Sequence, residues 1–574
     1  MQTRNSPWAF FAASAVLGAL AFAILYAIGR LSAGHPDVVY TLTPSPSTGT
    51  LRVEVEMYGV APGHFVLLLP ESATDAARGP AEPFGAMSGE PLGAGLWAGV
   101  ADLSGRVSLR YDVKPEATDH KAMLLTGART FAVPVRSDLR SALFVRGRHG
   151  EIRGGPVPGS ARRIAVRFRL PVGWDAYTPW GDARTTVEVP DGRFARLRES
   201  MIALGDYVPR SFEAAGEPVE MVTRGVDPAR EDSLEILIRE CLDAHVREVG
   251  PLPHENLLVV IDHPFRGDQA SGETALNAAR LRLSRDPGAM RSRSLARVVA
   301  HELFHFWNGG SIDLNGPDLR WFAEGVTEYY GLRALAAAGR LSDEDLVDEL
   351  AGSFDRLSGN PWADSSMTVL GAAYGRDAQA WSATYAKGLL AAWTLDLRLA
   401  RWGGLDALMR QLVRRGGRPD LRLETARLGA GDLSSFLDSL SRGSLRPALE
   451  TQLASRGLHL ERRRTETWTL GLRFFRPGTT EVMDLDPEGP AARLGVEVGD
   501  RVVAVNARPV EDLAALAEAL TDARTTPIVL LLWRRGRPLR VAIEPEPALA
   551  TVVGGRESPA GMASRHPAPG ELQP

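Results

Sequence analysis

The sequence predicts a multidomain α+β chain, and three observations predict it. Its 574 residues allow three or four domains at about 150 residues each. An uncharged apolar run, Trp8 to Gly29, precedes everything else. Beyond it the hydrophobic period is two up to about residue 198 and helical from about residue 199. Hydrophobic residues at 44% and charged residues at 24% are ordinary for folded protein. They exclude wholesale disorder, collagen-like fibres and a multi-span membrane bundle. With 66 basic against 70 acidic residues and a net charge of −4, no global positive field exists to hold a nucleic acid. The single cysteine, Cys241, rules out an internal disulfide and a cysteine-based zinc site.

Residues 1–35 read as an N-terminal membrane anchor or signal segment. The apolar run lies between Arg4 and Arg30. A signal core spans about 7–15 residues, whereas about 20 helical residues cross a bilayer. The length favours an uncleaved single helix, with the amino end inside and the bulk of the chain outside the cytoplasm, on the periplasmic or extracellular side.

Residues 36–198 read as an antiparallel, β-sandwich-like domain. Leu51, Val53, Val55 and Met57 alternate with Arg52, Glu54 and Glu56, and Ile164, Val166, Phe168 and Leu170 alternate with Arg163, Arg167 and Arg169. No cluster of catalytic residue types falls in this stretch. From residue 199 the pattern changes. Asp227-Pro228 opens a helix whose apolar stripe is Leu234, Leu237, Cys241, His245 and Val249. A cysteine on such a stripe reads as a packed, inert thiol. Leu257 to Ile261 reads as a buried strand.

The chemistry begins at His301-Glu302-Leu303-Phe304-His305. On a helix, positions i and i+4 share a face, so His301 and His305 can reach one metal ion. Glu302 stands beside them, where a carboxylate can act as general base toward a water. Eighteen residues after His305, Glu324 sits in the aromatic, weakly charged run Trp321 to Tyr330, where an unpaired carboxylate would be costly. His301, His305 and Glu324 make a three-ligand zinc set with one open position, one zinc per chain. Glu328, one turn further on, is a candidate for orienting a ligand histidine from behind.

The strings His301 to Asn308 and Trp321 to Tyr330 resemble the glycyl aminopeptidase family of gluzincin metallopeptidases, as does the Leu170-Pro171-Val172-Gly173-Trp174 corner. That resemblance implies a β-rich N-terminal domain over 36–198, a thermolysin-like catalytic domain over 199–335, a helical domain over 336–455 and a PDZ domain over 462–546. Residues 547–574, rich in Pro, Gly, Ala and Ser, read as a disordered tail. It also implies roles for further residues. Tyr385-Ala386-Lys387-Gly388 matches the family's Tyr-x-Lys-Gly string, whose tyrosine donates to the oxyanion. The family's upstream Gly-Gly-x-Glu-His is represented by Ala270-Ser271-Gly272-Glu273-Thr274, with threonine in place of histidine. Gly272 and Glu273 would then bind the substrate, the glutamate through its free amine. Gly499-Asp500 and the strand ending at Asn506 resemble a PDZ, and Leu470, Gly471 and Leu472 would form its carboxylate loop, open to a peptide C-terminus.

The expected function is zinc-dependent removal of small N-terminal residues from peptides. Two alternatives stand beside it: a zinc endopeptidase sharing the metal site, and a non-catalytic PDZ adaptor with a degenerate peptidase domain.

Overall fold

Alternating side chains close the first part of the chain into sheets, because one face of each strand must leave water. The computed structural model describes residues 36–555, apart from 59–62, 71–88, 94–95, 102–106, 120, 137–162, 183–184, 226–227, 268, 287–291, 444–449, 452, 455–457, 475–478 and 523–526. The chain divides into two units, with the boundary between Asp206 and Tyr207.

In the first unit two five-stranded sheets share one core. One has the strand order Thr186–Glu188, Ile164–Phe168, Val38–Ser45, Thr50–Met57, Val107–Val113. The other runs Gly181–Asp182, Asp175–Thr178, Met201–Gly205, Ala122–Thr126, Glu116–Asp119. Leu42, Val53 and Val55 from the first meet Met123, Leu125 and Leu204 from the second. The arrangement is sandwich-like, as expected, with two corrections. A separate four-stranded sheet accompanies the pair, and Val38–Ser45 pairs with Ile164–Phe168 in parallel. The unit also runs past residue 198, because Met201–Gly205 is hydrogen-bonded between Asp175–Thr178 and Ala122–Thr126.

The second unit is built on a sheet of β1 (Val208–Ala214), β2 (Glu217–Thr223), β3 (Leu257–Phe265), β4 (Ser271–Ala275) and β5 (Ala278–Ser284), in the order β1-β2-β3-β5-β4. The β2–β3 and β3–β5 pairings are parallel and the others antiparallel. This leaves β4 at an edge. Helices α1 (Pro228–Val249) and α2 (Arg293–Phe304) share the core with this sheet through Leu237, Cys241, Val299 and Leu303. Burial pushes the Cys241 thiol up to about 12, so it is inert at neutral pH, as its place on the stripe requires. Then come α3 (Thr327–Ala337), α4 (Asp343–Leu357), α5 (Ala378–Leu399) and α6 (Gly404–Arg415), in the helical stretch the sequence indicates.

The C-terminal module holds β6 (Leu458–Thr469), β7 (Leu472–Arg473), β8 (Asp484–Leu485), β9 (Arg501–Val505), β10 (Arg508–Pro509), α7 (Leu513–Asp522), β11 (Ile528–Arg534), β12 (Arg537–Ile543) and β13 (Glu546–Gly555). Its own small core includes Val482, Val502, Leu516, Leu530 and Ile543. The expected tail is corrected over its first nine residues, while residues 556–574 lie outside the described residues. Residues 547–555 belong to β13, which pairs antiparallel with β6. The Thr551 N–H and hydroxyl donate to the Asp355 carboxylate on α4 at 2.7 and 2.6 Å. Leu460 and Val553, opposite each other in the ribbon, pack on the core shared by the second unit's sheet and helices. The ribbon therefore starts at Leu458, ahead of the expected boundary at 462. The expected membrane helix lies in residues 1–35, outside the described residues. Among the described residues no helix is long and apolar enough to cross a membrane.

Candidate metal centre

Leu295, Val299 and Leu303 are fully buried. They turn one stripe of α2 into the core and leave His301 on the face that meets α3. His305 follows at the helix end with helical backbone angles. Glu324 comes from a single π-helical turn, Phe322–Val326, that runs into α3. Such widened turns leave carbonyls without helical partners and recur at functional sites. Here the buried Asn308 side chain takes them, its Nδ2 donating to Phe322 and Ala323 carbonyls at 3.0 and 3.1 Å, with Thr327 Oγ1 at 3.0 Å.

The three expected ligands converge. One ligand atom from each of His301, His305 and Glu324 lies within 4.8 Å of the others. His301 Nε2 is 3.6 Å and His305 Nε2 3.8 Å from Glu324 Oε2. Both imidazoles are fixed from behind. His301 Nδ1 donates to Glu328 Oε2 at 2.8 Å, and His305 Nδ1 donates to the Asn308 carbonyl at 3.0 Å. In the neutral rings these bonds put the proton on Nδ1 and leave two Nε2 lone pairs facing a carboxylate oxygen. Three acceptors aimed at one another call for a cation, so the donor set fits a divalent zinc. The pKa directions show the same demand for positive charge. Burial lowers the His301 imidazolium, but the hydrogen bonds to Glu324 and Glu328 overcome it and push it up to about 10. Burial raises Glu324, yet the His301 bond and the nearby imidazoles hold it at about 2.

Glu302 points into the same region. Burial raises its carboxyl above the usual range, and Thr274 Oγ1 donates to its Oε2 at 2.9 Å. Gly272 supplies the room: a Cβ there would come 2.3 Å from Glu302 Cγ. Gly272 and Thr274 thus share the β4 face that meets the base. Glu273, between them, stands on the opposite face. Its side chain is 40% exposed and its Oε1 accepts from Arg280 Nη1 at 3.3 Å. The threonine that replaces the family's histidine therefore touches the base, which the sequence did not reveal.

Tyr385 is brought in by a backbone crossing. A Cβ on Gly325 would lie 2.1 Å from the Gly388 carbonyl carbon, so only two glycines let α5 cross the π turn this closely. Three residues before Gly388, Tyr385 donates to Glu324 Oε2 at 2.7 Å and accepts from Tyr374 OH at 3.2 Å. Lys387, one of three lysines in the chain, is a clamp. Its ammonium donates to the carbonyls of Ala363 and Ser365 at 2.9 and 2.6 Å and to that of Gly443. The Tyr-x-Lys-Gly string thus combines a phenol for the site, an anchor and a crossing point. Arg320 Nη1 reaches Glu324 Oε1 at 3.4 Å, a contact without a sequence signal beyond its i, i+4 spacing.

The expected PDZ loop joins β6 to β7. Gly471 adopts φ +78°, and its N–H is held by Thr469 Oγ1 at 2.9 Å. Leu470 is buried, its carbonyl accepting from Ala491 at 3.0 Å, while Leu472 pairs with Leu485.

Comparisons with known proteins agree with this geometry. Residues 294–390 match the family model described as M61 glycyl aminopeptidase, and residues 481–535 match the PDZ domain model. No curated protein matches the sequence. Among solved structures, an aminopeptidase N family protein from Idiomarina loihiensis superposes with a TM-score of 0.67 at 16% identity, covering 92% of this chain and 99% of that one. An M1 zinc metallopeptidase from Deinococcus radiodurans gives a TM-score of 0.46 at 17% identity, over 72% of this chain and 94% of that one. At these identities the first likeness is one of fold.

Proposed function

We propose that the chain is a zinc metallopeptidase of the aminopeptidase type, holding one zinc per chain through His301, His305 and Glu324. The observation that carries this is the convergence of one ligand atom each from His301, His305 and Glu324, with Glu302 and Tyr385 beside them. When bound, the zinc polarises the scissile carbonyl and makes a water nucleophilic at neutral pH. Glu302, buried and raised above the usual carboxylate range, takes the proton of the attacking water and returns it to the leaving amine. The Tyr385 hydroxyl donates to the carbonyl oxygen as it gains charge. The matches to a glycyl aminopeptidase model and to PDZ support peptide substrates.

Aminopeptidase action needs an anion for the substrate's free amine. Glu302, Glu324 and Glu328 are buried and engaged, which leaves the half-exposed Glu273 of β4, although it stands on the strand face away from Glu302. Its bond to Arg280 competes for that charge and favours a second reading, an endopeptidase with the same metal chemistry. Hydrolysis of glycyl, alanyl and leucyl arylamides, set against their N-acetylated forms with and without chelator, separates the readings. The free-amine substrates should be cleaved, the acetylated ones spared, and chelator should abolish turnover. Equal cleavage of both forms would favour the endopeptidase, and activity that survives full removal of metal would refute the zinc reading. A non-catalytic adaptor has less support, since all four metal and base residues are present and assembled.

Two finer points belong to the proposal. The PDZ domain is read as seating a peptide C-terminus near Leu470 to Leu472 by strand addition. Residues 1–35 are read as a membrane anchor that keeps the catalytic part outside the cytoplasm, on the strength of the apolar run. Full-length protein should then resist a high-salt wash of membranes, and a chain lacking residues 1–35 should be active without them. Release by salt alone would argue against the anchor.

A further inference from the structure

The ligand His301 is backed by more than one carboxylate. Glu328 gives its Oε2 to His301 Nδ1 at 2.8 Å and its other oxygen, Oε1, to Arg297 Nε. Arg297 lies one turn before His301 on α2, so the two residues present themselves to the same carboxylate from one helix face. The guanidinium then uses Nη1 to reach Glu349 Oε2 on α4 at 2.6 Å. The sequence of contacts runs His301, Glu328, Arg297, Glu349, and it ties α2, α3 and α4 together. Glu328 is buried, and the Arg297 and Glu349 side chains are 27% and 32% exposed. Arg356, next to Asp355 and two turns beyond Glu349 on α4, donates from Nη2 to Ser353 Oγ at 2.6 Å.

We infer that Arg297 is a positioning residue for the metal centre, acting through Glu328 on His301. This inference rests on the zinc reading above. A carboxylate bonded through one oxygen can swing about its last side-chain torsion, which is broad. Bonding both oxygens, one to the imidazole and one to a guanidinium, removes that freedom. His301 then keeps its proton on Nδ1 and its Nε2 lone pair aimed at the centre. Arg297 also offsets a carboxylate that would otherwise be buried with only a neutral ring for company, a costly arrangement. Glu349 fixes the guanidinium in turn. Partners behind metal-ligating histidines are commonly worth 10–100-fold in affinity, and Arg297 stands one step further back while controlling the group that does the orienting.

The test is zinc affinity of the full chain, measured by competition with a chromogenic chelator, alongside its melting temperature. Arg297→Met keeps the bulk and removes the charge. It should weaken zinc binding by roughly 10-fold or more. Its kcat should recover as free zinc is raised to saturation, because the other groups of the centre are untouched. Arg297→Lys should restore part of the affinity, and Glu349→Gln should weaken zinc binding in the same direction by less. A role confined to helix packing would lower the melting temperature and leave the zinc constant alone. Zinc affinity within twofold of the parent for a folded Arg297→Met variant overturns the proposal. If that variant does not fold, an unchanged zinc constant in Glu349→Gln overturns it equally. A parent chain that binds no zinc would instead overturn the metal centre itself, and this proposal with it.

Discussion

Glu302→Gln should keep its full complement of zinc and lose turnover by about 10²–10⁴-fold, the range that positioned general bases supply. The side chain is held in a tight cradle, since Gly272 leaves no space for even one added carbon beside Glu302 Cγ. Glutamine has nearly the same size, so the cradle and the edge strand should be undisturbed. Its amide oxygen can still accept from Thr274, whose hydroxyl donates to Glu302 Oε2 in the parent. The ligands His301, His305 and Glu324 are unchanged, so metal content should be unchanged too. What is lost is a group that can take a proton. Metal analysis and initial rates on the same preparation make the check, and a variant with more than a tenth of parental turnover would remove Glu302 from the base role. A variant that loses both zinc and activity would assign the residue to the metal centre's architecture.

Much of this site was legible from residue spacing because its chemistry is local. Two histidines four apart on one helix and a glutamate opening the next are fixed by helical geometry, and the structure brings them within 4.8 Å. The long-range parts were not legible in that way. The Gly325–Gly388 crossing joins residues 63 positions apart, and a lone glycine in a helix carries no mark of what will cross it. Lys387 is legible as a rare lysine in the Tyr-x-Lys-Gly string; that three carbonyls would surround it depends on loops packed from elsewhere. Nothing in the sequence sets Arg297 and Glu349 apart, since periodicity does not say which polar face will be covered by another helix. The C-terminal strand shows the opposite error. Composition suggested a disordered tail, but strand pairing depends on a partner, and β6 lies some 90 residues away in sequence with Leu460 set opposite Val553. The first unit's parallel pairing was hidden for the same reason, because Val38–Ser45 and Ile164–Phe168 are brought side by side only by the sheet.

Tyr385→Phe should be folded, metal-loaded and slower by about 10²–10³-fold in kcat, the usual cost of removing one oxyanion donor. The ring has its own packing, with Trp381 at 4.6 Å and Tyr374 at 6.2 Å between centroids, and phenylalanine keeps all of it. The helix is set by the Gly325–Gly388 crossing and the Lys387 clamp, neither of which involves the hydroxyl. Deleting the oxygen therefore changes one donor and little else. In the free chain that donor rests on Glu324 Oε2 at 2.7 Å, so rates should be measured at saturating zinc to keep any change in metal affinity out of the comparison. A group whose bond to the carbonyl oxygen strengthens as charge develops contributes mainly in the transition state. Its loss should therefore lower kcat with little change in KM. Retention of near-parental kcat would make Tyr385 a packing residue. Tyr374, whose hydroxyl is 3.2 Å from that of Tyr385, would then be the phenol to remove next. A large rise in KM with kcat intact would mean that the hydroxyl serves ground-state binding rather than the developing oxyanion.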